Sequence, residues 1–100
     1  MTRWYNLNDD GKLCPVSCEN VHWDKRWHIK TKIGQATVST VFLAYDHSTC
    51  DNEPLLFETF VFGGHLDACV ERYSTKEDAI KGHEKWAMKV KESKDKEEFI

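Results

Sequence analysis

From Arg26 the chain alternates: Arg26, His28, Lys30 and Lys32 fall on one side, Trp27, Ile29, Thr31 and Ile33 on the other. That period of two predicts a strand with a basic outer face. Gly34-Gln35 then offers a turn into ATVSTVFLAYDH, whose Val, Thr, Phe and Tyr content predicts the second strand of a hairpin. The segment STCDNEP has loop chemistry, and Pro54 ends it before LLFETFVFGG, a third long strand. Both faces of that strand are apolar, so it is expected at the centre of a sheet and covered.

The flanks are patterned differently. Asp10-Gly11 sits between short β-favouring stretches and predicts a small hairpin. Ser17 is placed to cap a brief helical turn through Cys18 to Asp24. Toward the C-terminus, Ser74 and Glu77 have capping-box spacing, and Ala79, Ile80, His83, Trp86, Ala87 and Val90 recur at the three- and four-residue steps of one helical face. Gly82 costs about 1 kcal/mol against alanine inside such a helix, which points to close packing on the sheet. The expected architecture is α+β: a three-stranded or slightly larger antiparallel sheet packed by the C-terminal helix, with the N-terminal hairpin or short helix at its edge. Residues 1–90 form one domain in this reading and 91–100, KESKDKEEFI, a solvated charged tail.

One helix covers one sheet face, yet VFLAY and LLFETFVF put large side chains on both. The second face needs a cover, either the N-terminal segment with Trp4, Tyr5, Trp23 and Trp27 or a second copy of the chain, and a homodimer is the favoured expectation.

Composition narrows the class. The chain has 100 residues, 40% hydrophobic and 31% charged, with a mean hydropathy of -0.64, which excludes a disordered tract and a helical membrane protein. With no apolar leader segment either, the cytoplasm is the expected location. The net charge of -3 hides an asymmetry: Lys25, Arg26, Lys30 and Lys32 are followed by residues 33–71, which hold acids but neither lysine nor arginine. General nucleic-acid binding is therefore not expected, and an acidic half suits a basic protein partner.

Candidate chemistry comes from misfits, because no nucleotide-cradling glycine loop, nucleophile elbow or paired cysteine knuckle is present. Cys14, Cys18 and His22 stand four residues apart and would need His28, His47 or Cys50 to complete a zinc set; Pro15 opposes a single helix through them, and neither a metal nor a cofactor is expected. Glu58 lies among Leu56, Phe60 and Phe62, where an unpaired carboxylate costs several kcal/mol. His83 interrupts the apolar helix face, and Asp46-His47 ends the second strand. If His47, Glu58 and His83 met, they would make a structural network first, a ligand site second, and an acid–base or metal-assisted hydrolase third. The face of Arg26, His28, Lys30 and Lys32, near Trp23 and Trp27, is either a charged edge strand or a seat for an anionic nucleotide or short single strand.

VSTVFLAYDH, PLLFETFVFGG and ERYSTKEDAIKGHEKW, in that order, resemble a family of small uncharacterised proteins of bacteriophages and bacteria, over about residues 36–88. The resembling positions are Asp46, His47, Glu58, Thr59, Phe62, Gly63, Gly64, Arg72, Tyr73, Gly82 and His83. The resemblance implies a phage accessory protein acting in the host cytoplasm, of a kind that often binds a host defence or regulatory protein or sequesters a signalling nucleotide and less often degrades its target.

Overall fold

The computed structural model describes residues 3–23, 26–48 and 53–97. The chain is α+β: β1 (Trp4–Leu7) and β2 (Leu13–Val16) form a hairpin, and β3 (His28–Ile33), β4 (Ala36–Phe42), β5 (Phe57–Phe62) and β6 (Val70–Tyr73) form a four-stranded antiparallel meander in sequence order. Helix α1 (Lys76–Glu97) lies across one face and touches all four strands. The expected β3–β4 hairpin turns at Gly34-Gln35, and β4 and β5 are its central strands. Of the helical turn expected from Cys18 to Asp24, Cys18–Asn20 forms a short 3-10 helix, and Asp24 lies outside the described residues.

Pleat alternation divides the sheet. Ile29, Thr31 and Ile33 pair across to Thr40, Val38 and Ala36, and Thr40, Val38 and Phe42 to Thr59, Val61 and Phe57, so these residues share the helix side. Phe57, Val38 and Val61 are fully buried there, each aliphatic or aromatic side chain worth about 1.5–3 kcal/mol in transfer terms. At the strand ends marked by Phe42, Phe57 and Tyr73 the core joins these residues and Ala79 to Val21, with Trp4, Tyr5, Leu7 and Trp27 against it. The hairpin therefore packs on the helix side, joined to the chain beyond β4 by hydrogen bonds from the Tyr5 amide to the Ala44 carbonyl and the Asp46 amide to the Arg3 carbonyl. It does not cover the second sheet face, because its aromatic side chains are drawn into the core that α1 already closes.

Two further differences have definite physical causes. Helix α1 is capped by Thr75, not Ser74: the Thr75 hydroxyl accepts from the Asp78 amide at 3.1 Å. Strand β6 enlarges the three patterned strands to a sheet of four; it puts Glu71 on the inner face, where the carboxylate is matched by Lys85 and Trp86 of the helix, a pairing invisible to local patterning.

Candidate functional site

Two constellations emerge, one on each side of the sheet. On the helix side, His83 is 5% exposed and hydrogen-bonded through Nε2 to Thr31 at 2.9 Å and through Nδ1 to Thr40 at 2.7 Å. Thr40 meets Thr59 at 2.6 Å, and the Tyr73 hydroxyl lies 3.0 Å from Thr59 and 3.2 Å from Glu71. Glu71 closes the run by accepting from Lys85 at 2.6 Å and the Trp86 indole at 2.9 Å. Burial pushes His83 below its ordinary pKa, against the opposite pull of neighbouring Glu84, so the imidazole is held neutral. Burial likewise raises the Tyr73 phenol. The Lys85 ammonium, ahead of the indole and phenol donors, holds the Glu71 carboxyl below its usual value in spite of burial. This connected network joins β3, β4, β5 and β6 to α1 and ties helix to sheet.

His83 thus has a network, but not the expected one. Glu58 follows the opposite pleat, facing away from α1, and accepts from Arg72 Nε at 3.0 Å. His47 is exposed beyond β4, its ring edge-on to Tyr45, so the trio His47, Glu58 and His83 does not assemble. Asp46 organises the loop: burial would raise its carboxyl, but hydrogen bonds from Ser48 and Leu55 and the charge of Arg3 outweigh that and hold it below the carboxylate range. Cys14 sits in β2 with its sulfur 3.0 Å from Asn8 Nδ2, Cys18 is exposed, and His22 is exposed. Among the described residues no group of three histidine, cysteine or acidic side chains could hold a metal ion; Cys50 lies outside them.

The second constellation is on the open face. Register puts His28, Val41, Glu58 and Arg72 in one row, Lys30, Ser39, Phe60 and Val70 in the next, and Lys32, Thr37 and Phe62 in a third. At the His28 end a pocket of about 280 Å³ is lined by Trp23, Arg26, Trp27, His28, Lys30 and Val41. Trp23 is 49% exposed, with the Arg26 guanidinium 5.3 Å from its ring centre. Arg26 and Trp27 also line an adjoining recess of about 310 Å³ that adds His22 and Lys76, with Asp9 as its acid. A larger recess of about 450 Å³ lies between the β3–β4 turn, the loop after β5 and α1; Gln35, His65 and Ser93 join Ile33, Ala36, Leu66, Val90 and glycine backbone in its lining, which holds no carboxylate, lysine or arginine.

The structure therefore brings Arg26, His28 and Lys30 together beside Trp23, with Lys32 further along the same face; Asp46, His47 and His83 stand elsewhere, and Glu58 and Arg72 neutralise each other on the far side of that face. Sequence reasoning missed Phe62 as an exposed group with Phe60 half-buried beside it, and Thr31, Thr40, Thr59 and Glu71 as members of the network around His83. The period-two pattern contained the signal for each, but only strand register shows which residues are neighbours. No protein-family model matches the chain, and no curated protein or solved structure is significantly similar to it.

Proposed function

We propose that this chain is a non-catalytic binding protein that holds an anionic nucleotide in the pocket of Trp23, Arg26, His28 and Lys30. The observation that carries the reading is the convergence of an exposed indole with three basic side chains in one concave site. An indole offers a stacking surface to a base, and guanidinium and ammonium groups match phosphate oxygens. In the phage context implied by the resemblance, such a protein would withdraw a nucleotide signal from a host process; the nucleotide here takes the place of the host protein as the sequestered component. A hydrolase built on His47, Glu58 and His83 has no support, since those side chains are dispersed. Two exposed apolar side chains on the same sheet face, Phe62 at 53% and Val70 at 49%, favour a second reading in which another copy of the chain docks there.

The test is calorimetric titration with a panel of nucleoside mono-, di- and triphosphates and cyclic dinucleotides, at low and high salt. At least one is expected to bind, more weakly as salt screens the cations. Trp23→Ala and Arg26→Ala are each expected to weaken it about tenfold or more, as for loss of a stacking face or a charge-assisted hydrogen bond. A panel with no binder, or one that binds both variants like the parent, overturns the reading.

A further inference from the structure

Lys30 lines the pocket and also begins a row of side chains across the open sheet face. We infer that the pocket is one end of a track along the open sheet face, and that the track takes a short single-stranded nucleic acid; this rests on the nucleotide pocket proposed above. Two successive rows repeat the same chemistry. Lys30, Ser39 and Phe60 lie side by side on β3, β4 and β5, and so do Lys32, Thr37 and Phe62. Each row reads cation, short hydroxyl side chain, phenyl ring. Adjacent strands stand about 4.8 Å apart, so in each row the backbone of the phenylalanine lies about 10 Å from that of the lysine, with Ser39 or Thr37 between them.

Along the strands the rows are about 7 Å apart, two residues of rise. An extended strand can follow the two lysines at that step, one phosphate beside each, and lay its bases on the joint surface that the two touching phenyl rings make. The Phe60 and Phe62 rings have centroids 4.5 Å apart and are tilted 42°, and Phe62 is half exposed. Trp23 adds a third ring surface at the His28 end.

Charge selects the occupant. The chain carries a net -3, yet this face presents Lys30, Lys32 and Arg72 against the carboxylate of Glu58, which Arg72 already engages at 3.0 Å. A face of aromatic rings flanked by a few cations fits an anionic polymer of flat rings, and fits it through stacking more than through phosphate neutralisation. That is why it is compatible with an acidic protein that lacks a broad basic surface. A duplex, with its bases enclosed, could not use the rings.

Fluorescence anisotropy with labelled oligothymidylate and oligouridylate of one to twelve nucleotides, and a twelve-base-pair duplex, tests the inference. Affinity is expected to rise over the first three or so nucleotides and then level off, with the duplex at least about tenfold weaker because its bases cannot stack on protein. With two or three phosphates engaged, log affinity against log salt should have a slope of about -1.5 to -2. Phe60→Ala and Phe62→Ala should each cost the oligomer about tenfold while leaving mononucleotide binding unchanged. Lys30→Glu with Lys32→Glu, both exposed, should weaken the oligomer without touching packing. Oligomers that bind no tighter than a mononucleotide, or that bind the phenylalanine variants like the parent, overturn the track and leave the pocket standing. Length-dependent, phenylalanine-dependent binding that ignores Trp23→Ala keeps the track and removes the pocket. A chain whose self-association buries Phe62 and excludes the oligomer assigns the face to a second copy instead, and the inference falls.

Discussion

His83 has both ring nitrogens hydrogen-bonded inside the protein, and its environment sets the sign of a pH effect. Burial lowers its folded pKa below the unfolded value near 6.5. As pH falls, the unfolded chain therefore takes up the proton first. The stability that His83 contributes is fully present above about pH 6.5 and is lost as pH drops through the folded value. Glu71 and Asp46, also depressed, act in the same direction but at carboxylate pH, near 4 and below. Urea midpoints are expected to decline between pH 7 and 5 in the parent and to be flatter in His83→Gln; a flat parent profile across that window would contradict a neutral buried imidazole. At pH 7, His83→Ala should cost about 1–3 kcal/mol, because Thr40 is left buried without one of its partners.

Among the elements, the α1–β6 contact depends on a missing side chain. A Cβ at position 82 would overlap the Tyr73 hydroxyl and two of its ring carbons. Gly82 thus lets the phenol reach Thr59 and Glu71 from beneath the helix. Gly82→Ala should destabilise by about 1–3 kcal/mol, the usual cost of overpacking, even though alanine gains about 1 kcal/mol of helix propensity. Tyr73→Phe should not rescue it, since the ring carbons overlap as well; thermal unfolding of the two single variants and the pair distinguishes this from simple loss of a hydrogen bond. A second glycine answers a backbone demand: Gly63, with φ of 81°, ends β5 where a side chain would strike the Gln35 carbonyl.

At the scale of the molecule, α1 and the N-terminal hairpin both serve one side of the sheet and leave the other open. A homodimer and a single strand would need the same open face, so they must compete. Sedimentation with saturating oligonucleotide is expected to return one 11.7 kDa chain per strand. Any dimer seen without it should dissociate on addition, and should weaken in Phe62→Ala. A stable dimer that still binds oligonucleotide at unchanged affinity would place the dimer contact elsewhere.

The α+β class, the Gly34-Gln35 hairpin, the basic outer face of β3 and the close packing at Gly82 could all be read from the chain, because they follow from local rules: side-chain period, turn residues and helix propensity. Strand β6 could not, since its inner-face glutamate is made tolerable by Lys85 and Trp86, a helix away. Nor could the fate of Glu58, His47 and His83: Glu58 follows the pleat away from α1, His47 lies beyond β4, and His83 reaches from α1 to Thr31 and Thr40 on the other sheet face. Register converts residues separated in sequence into the rows Lys30–Ser39–Phe60 and Lys32–Thr37–Phe62, and the docking of the hairpin on the helix side decides that these rows stay open. Local energetics specify the elements; only the long-range burial of one sheet face over the other determines which side chains remain for a ligand.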